Sequence, residues 1–261
     1  MDINNHILTT SNLCIGYSSK KDTNTIASKI NLSLKRGELI ALIGANGIGK
    51  STLLRTLIGI QPPLSGDVIL NGKKISEYDS VSFAQNLSIV LTEKLPPSNL
   101  TVFEIIALGR QPYTNWLGNL SDNDIFKINE AMELTQTTSL AEKKHYEISD
   151  GQLQNVLVAR ALAQDTPLII LDEPTTHLDL LHKVSLFKLL KKLTKETNKC
   201  ILFSTHDIDM AIQISDEMII MTNENVVQNQ PCNFISKGNF NTLFKNEHIA
   251  FDSEKGKFIV Q

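Results

Sequence analysis

Nine residues near the start of the chain, Gly44-Ala45-Asn46-Gly47-Ile48-Gly49-Lys50-Ser51-Thr52, have the spacing G-x-x-x-x-G-K-S. Glycines at 44, 47 and 49 let backbone N–H groups turn inward, and a following helix adds the partial positive charge of its N-terminus, so the segment reads as a cradle for phosphate. Lys50 is then the cation for the outer phosphates, and Ser51 the hydroxyl for Mg²⁺. A second group closes the apolar run Leu168-Ile169-Ile170-Leu171 with two carboxylates, Asp172 and Glu173. Asp172 suits a water-bridged Mg²⁺. Glu173 suits a general base that polarises an attacking water, because in-line phosphoryl transfer asks the protein mainly for positioning and charge stabilisation. A third group, Ile148-Ser149-Asp150-Gly151-Gln152, has Ser149 and Gln152 at S-x-x-Q spacing. That is a capping box, and a capped helix start containing glycine is also an anion site. His206 stands in Ser204-Thr205-His206-Asp207 at the end of another apolar run, where a histidine can sense a phosphate.

These residues need elements to hold them. The glycine loop lies between an apolar run, 38–43, and an amphipathic one, 52–58, which predict strand and helix. Upstream, Leu13–Tyr17 reads as a short strand and Lys29–Leu34 as an alternating one; Gly66–Gly72 is another strand after the breaker Pro62-Pro63. From Leu95 the pattern turns helical, over Thr101–Leu108, Ser121–Leu134 and Leu153–Ala163, the first two behind plausible N-caps. A βαβ series then resumes: strand 168–172, helix about 180–197, strand 200–204, helix about 207–215 and strand 217–221. In the lysine-rich helix, the apolar residues at 181, 184, 187, 190 and 193 form one stripe, which makes the lysines the solvated back of a sheet-covering helix. The last forty residues look like a small appended layer.

Composition excludes several classes. The 261 residues carry a net charge of −3 with a pI near 6.1, which gives no basic field for nucleic acid. Cys14, Cys200 and Cys232 are odd in number and widely spaced, so neither a disulfide framework nor a zinc site is expected. His6, His145, His182 and His248 show no metal-ligand spacing. The first residues lack a basic and an apolar signal region, and nowhere are about 18 apolar residues consecutive, so neither export nor membrane spanning is expected.

Together these motifs resemble the nucleotide-binding subunit of ATP-binding-cassette (ABC) transporters over nearly the whole chain. Gly44 to Ser51, with Thr52, matches the Walker A loop; Leu168 to Glu173 matches the Walker B strand with its catalytic glutamate; Ile148 to Gln152 matches the family signature. His177-Leu178-Asp179 matches the D-loop, His206 the switch histidine, and Tyr17 the aromatic that stacks on adenine. The resemblance implies an α/β P-loop NTPase core with an antiparallel β layer, over 1–94 and 166–261, and an inserted helical signature subdomain over 95–165, all in one domain. It also implies ATP and Mg²⁺ as cofactors and a homodimer that sandwiches ATP between the Walker A loop of one copy and Ser149, Gly151 and Gln152 of the other, with Asp179 at the same junction.

Two positions depart from the family pattern. Thr92 stands where Gln is usual near Mg²⁺, so it is a third but shorter metal-side candidate beside Ser51 and Asp172. Asp150 stands where Gly is commonest and puts a carboxylate beside the γ-phosphate position. The stretch Ala107 to Gly118, including Arg110, Tyr113 and Trp116, is similar to ATPases of bacterial importers for iron–siderophore complexes, haem and cobalamin. That implies a separate membrane permease, with Trp116 and Tyr113 at the contact, a substrate-binding protein further out, and a location on the cytoplasmic face of the bacterial inner membrane. The alternatives are a soluble ABC ATPase outside transport and a nucleotide-binding module with little hydrolysis.

Overall fold

The first residues fold into an antiparallel layer. In the computed structural model, which describes residues 5–19, 22–92, 95–96, 98–243, 249–253 and 256–260, β1 (His6–Ser18) pairs antiparallel with β2 (Thr23–Ile30) and with β3 (Ser33–Lys35). β4 (Leu39–Gly44) leads through the glycine loop into α1 (Lys50–Leu57). β5 (Ser65–Leu70) and β6 (Lys73–Lys74) complete the antiparallel sheet in the order β2-β1-β5-β6. Next come α2 (Ser80–Ala84) and β7 (Leu87–Val90), then α3 (Val102–Ala107), α4 (Asp122–Leu134) and α5 (Asp150–Ala163). The βαβ series is β8 (Leu168–Leu171), α6 (Leu180–Thr197), β9 (Cys200–Ser204), α7 (Ile208–Ile214) and β10 (Glu217–Met221). β11 (Val226–Asn229), α8 (Pro231–Ser236), β12 (Ile249–Asp252) and β13 (Lys257–Val260) follow.

The second sheet has the order β11-β10-β4-β9-β8-β7, parallel throughout except for its antiparallel edge strand β11. Its central strands β4, β8 and β9 are buried along their whole length. They read as unbroken apolar runs because a parallel sheet is covered on both faces. Leu39, Ala41 and Ile43 join the core built with α3, α5 and α6, whereas Ile40 and Leu42 join the core built with α1 and the antiparallel layer. Each buried Leu or Ile among them contributes about 1.5–3 kcal/mol by leaving water. The carboxyl ends of these strands are where an open α/β sheet receives ligands.

Several expectations change in the folded chain. The strand expected over Lys29–Leu34 is two, since β2 ends at Ile30 and β3 starts at Ser33. Buried Thr10 causes the break: its hydroxyl donates to the Ile30 carbonyl and accepts the Leu32 N–H. The helix expected from Leu153 starts at Asp150, because Ser149 accepts the Gln152 N–H and the Gln152 side chain accepts the Ser149 N–H. In α6 the buried stripe holds Leu186, Phe187, Leu190 and Leu193, while Leu181 is 78% exposed, because the first turn of α6 runs past the covered sheet. Nor are the lysines of α6 simply solvated: Lys191 and Lys195 pair with Asp216, and Lys183 with Asp207. The appended layer contributes β11 to the main sheet and gathers Phe234, Phe240, Phe251 and Phe258 around one another.

The helical part is held by a buried ion pair. Capping boxes start α3 at Thr101 and α4 at Ser121. Arg110 Nε donates to Asp124 Oδ1 at 2.8 Å and its Nη1 donates to the Ala163 carbonyl at 2.8 Å, tying the segment after α3 to α4 and to the end of α5. The two side chains are 3% and 4% exposed, and the Tyr113 ring lies 3.9 Å from the guanidinium. Beside them a Cβ on Gly109 would fall 2.2 Å from the Arg160 carbonyl oxygen, so only glycine allows this backbone approach. Burial raises the Asp124 carboxyl's pKa, but the Ser121 hydroxyl and N–H together with Arg110 outweigh it and hold the group below the usual carboxylate range. Its contribution is therefore present above that range and declines as pH falls through the folded value. Removing Asp124 leaves a buried guanidinium without its partner, so Asp124→Ala is expected to lower stability by about 3–5 kcal/mol in urea unfolding at neutral pH.

Candidate active site

The site is assembled at the carboxyl ends of β4, β8 and β9. Gly44 ends β4 beside Met221, where a Cβ would meet the Met221 carbonyl oxygen at 2.6 Å. Gly47 and Gly49 have φ of 74° and 109°, and Gly49 caps α1 in the left-handed region that a side chain strains. The loop Ala45-Asn46-Gly47-Ile48 closes on itself through Ile48 N–H donating to the Ala45 carbonyl at 3.3 Å. Lys50 is buried, and its ammonium donates to the Gly44 and Ala45 carbonyls at 3.0 and 3.2 Å. Burial pulls its pKa below the ordinary lysine value, against the opposing pull of Glu173 and Asp172. A phosphate would offer this cation stronger acceptors at the same mouth. Ser51 is exposed at the start of α1. Thr52 is buried, its hydroxyl 3.1 Å from the Tyr17 hydroxyl, which sets the half-exposed Tyr17 ring beside the loop.

Asp172 and Glu173 follow β8 and are fixed by one residue of β9. The buried Ser204 hydroxyl donates to Asp172 Oδ1 at 2.7 Å and accepts the Glu173 N–H at 2.8 Å. Glu173 has φ of 48° and His177 of 69°. Left-handed backbone at two non-glycine residues costs on the order of 1–3 kcal/mol each and commonly marks functional turns. Glu173 Oε1 lies 2.7 Å from His206 Nε2. The carboxylate and the imidazole are thus within direct hydrogen-bond reach. The role of Ser204 is not apparent from its place in the motif; the one signal is a hydroxyl directly at the strand end, next to the histidine loop.

Of the other sequence-predicted residues, Ser149, Gly151 and Gln152 form the start of α5, with Ser149 and Gln152 satisfying each other's backbone. Asp179 caps α6 and accepts from the His182 N–H at 2.9 Å. The Thr92 hydroxyl donates to the Asp172 carbonyl at 2.8 Å, so it couples its loop to the end of β8. Glu93, beside it, lies outside the described residues, as does His248. Asp150 is exposed and lines, with Thr92, Asp172, Glu173 and His177, the cavity between this strand end and α5. Trp116 is 91% exposed and Leu117 is 61% exposed, so this turn does not pack inside the helical part. Tyr113 is 38% exposed and sets its ring against buried Arg110, whose bonds brace the helical part.

The donors present suit a hard cation. A carboxylate and hydroxyls are oxygen donors of the kind Mg²⁺ takes, and Mg²⁺ needs few protein ligands when phosphate oxygens and water supply the rest. Among the described residues no group of three or more His, Cys, Asp or Glu could hold a metal by itself. No helix among them is long and apolar enough to cross a membrane.

Comparison with known proteins points one way. Residues 27–176 match the ABC transporter family. An uncharacterized ABC transporter ATP-binding protein of Methanocaldococcus jannaschii is 39% identical over 97% of this chain and 86% of its own length. The iron(3+)-hydroxamate import ATP-binding protein FhuC of Bacillus subtilis is 39% identical over 85% of this chain and 81% of its own. A structure described as an inward-facing ABC transporter of metal-chelate type superposes with a TM-score of 0.79 at 28% identity, covering 98% of this chain and 96% of that one. A dimeric bacterial ABC transporter cassette superposes at 0.72 with 26% identity, covering 86% and 99%.

The Ser204 hydroxyl leads to a direct test. Ser204→Ala leaves the Glu173 N–H without its acceptor, and is expected to lower stability by about 1–3 kcal/mol in chemical denaturation. It is also expected to lower nucleotide turnover in a steady-state phosphate-release assay, through the loosened Asp172 and Glu173.

Proposed function

The chain belongs to the ABC transporter family of ATPases, and from that membership we propose that it is the ATP-hydrolysing subunit of an importer for an iron–siderophore type substrate. The observation that carries the reading is the convergence of Lys50, Asp172, Glu173 and His206 at the ends of three adjacent strands, with Glu173 2.7 Å from His206. Triphosphate lies along the glycine loop with Lys50 turned from the Gly44 and Ala45 carbonyls to its oxygens, and Tyr17 stacks on the base. Ser51 and Asp172 hold Mg²⁺, which supplies charge neutralisation at the transferring phosphoryl group when bound. Glu173 orients and deprotonates the attacking water, and His206 holds Glu173 until a γ-phosphate competes for its imidazole.

Two copies close head to tail, so that Ser149, Gly151 and Gln152 of one cap the phosphate held by the other, with Asp179 at the seam. Residues 95–165 form the inserted signature unit, and 1–94 with 166–261 the core. The relatives whose names refer to iron–hydroxamate, ferric enterobactin and achromobactin support the siderophore class over haem or cobalamin. The exposed Trp116 and Leu117 suit the cytoplasmic surface of a separate permease, since exposed aromatic and apolar side chains together mark interaction sites. The subunit then works on the cytoplasmic face of the membrane, and a substrate-binding protein delivers cargo to the permease.

Glu173→Gln is expected to lower the rate of Mg-ATP hydrolysis by about 10²- to 10⁴-fold without weakening ATP binding, read by phosphate release and by equilibrium binding. A wild-type chain no faster than this variant, even with its permease, would leave only a nucleotide-binding module. Replacing Trp116 and Leu117 by Ala is expected to abolish co-purification with the permease while ATP binding persists; undiminished co-purification would remove this surface from the interface.

A further inference from the structure

Asp207 follows His206 and occupies the N-cap of α7, the position where an aspartate ordinarily accepts a backbone N–H of its own helix. Here it makes no such cap. Its carboxylate is engaged elsewhere: Oδ2 accepts from the Thr175 hydroxyl at 2.8 Å and Oδ1 from Lys183 Nζ at 2.8 Å. The backbone is fixed as well, since the Asp207 N–H donates to the Thr205 hydroxyl at 3.0 Å. Thr175 and Thr205 are buried, and the Lys183 and Asp207 side chains are about three-quarters buried, so the pair is partly shielded from solvent.

These bonds join three pieces that the sequence holds apart. Thr175 lies in the turn that begins at Glu173, and Asp207 is covalently next to the histidine that contacts Glu173. Lys183 sits in the first turn of α6, and its neighbour His182 leans on the start of α5. A Cβ on Gly151 would lie 2.3 Å from His182 Cδ2, so ring and backbone are in direct contact. Asp179 Oδ1 fixes that ring, 2.8 Å from His182 Nδ1. The first turn of α6 therefore touches, on consecutive residues, the helix start lent to a partner copy and the loop that serves the protomer's own phosphate.

We infer that Asp207 is a positioning residue which, by bridging Thr175 and Lys183, locks the His206 loop to the first turn of α6, so that the Gly151 half-site and His206 shift as one body. The inference rests on the reading of the chain as a hydrolysing ATPase. A partner's triphosphate that presses on the start of α5 moves His182, and the Lys183–Asp207 pair passes that displacement to His206 and Glu173. Hydrolysis at one site then depends on occupancy of the other through contacts inside a single protomer.

The test compares full-length Asp207→Asn, Lys183→Met, Lys183→Arg and His182→Ala with wild type, measuring kcat, KM and the Hill coefficient for ATP, with ATP-driven dimerisation followed in a Glu173→Gln background. Asp207→Asn and Lys183→Met should each lower kcat by about ten- to a hundredfold, the size that a slight misplacement of catalytic groups produces, with KM and dimerisation retained. The double variant should be no slower than the slower single one. Lys183→Arg, which keeps a donor for Asp207, should recover most of the rate, and His182→Ala should bring the Hill coefficient down towards about 1. Unchanged kcat in Asp207→Asn, or losses that add in the double variant and carry KM and dimerisation with them, would overturn the inference. If Asp207→Asn does not fold, the contrast between Lys183→Met and Lys183→Arg decides by itself. A wild-type chain that does not hydrolyse ATP would instead remove the functional reading.

Discussion

The chemistry of this chain depends on how the open ends of a fully buried parallel sheet satisfy their polar groups. β4, β8 and β9 run fully buried and, but for Ser204, carry no polar side chain through the core, so an N–H or carboxylate left unpaired at their buried ends would be costly. The Ser204 hydroxyl resolves this for two strands at once, by accepting the Glu173 N–H and donating to Asp172. With both hydrogen-bonding roles of one hydroxyl used, the Asp172 carboxylate and the Glu173 backbone are held at adjacent, fixed places. The same pressure acts at β4, where the Lys50 ammonium is folded onto loop carbonyls and shares the mouth with Asp172 and Glu173.

From this follows the division of labour between the two cores. One face of the sheet, with α1 and the antiparallel layer, supports the glycine loop and Tyr17. The other, with α3, α5 and α6, supports the start of α5 and the turn from Glu173 to Asp179. The helical part is braced from within by Arg110, whose bonds reach both α4 and the end of α5. The turn that presents Trp116 and Leu117 follows this braced segment in the chain.

Much of this was legible in residue order. The unbroken apolar runs at β4, β8 and β9, the caps at Thr101 and Ser121, and the loop Gly44–Thr52 are all local patterns with local causes. Where the folded chain departs from the local pattern, the cause is non-local. Lys29–Leu34 alternates as a strand should, but Thr10, some twenty residues earlier, supplies the hydroxyl that divides it. Leu181 has the spacing of a buried residue, but whether the first turn of α6 lies over the sheet depends on where the sheet ends.

Residue types and spacing by themselves determined that a phosphate loop, a paired carboxylate at a strand end, a capped glycine-containing helix start and a histidine exist in this order, since each is a short-range pattern whose geometry follows from its own backbone. Tertiary structure alone decided which of them meet. That Glu173 touches His206, that Ser204 holds the Asp172 carboxylate and the Glu173 N–H, that Arg110 is bound to Asp124, and that Asp207 turns from its own helix to Thr175 and Lys183 are contacts between residues 14 to 33 positions apart in the chain, and the exposure of Trp116 is likewise set by the fold. For the strand-end contacts the physical cause is the sheet order, which sets β8 beside β9 so that polar groups distant in the chain meet at their ends.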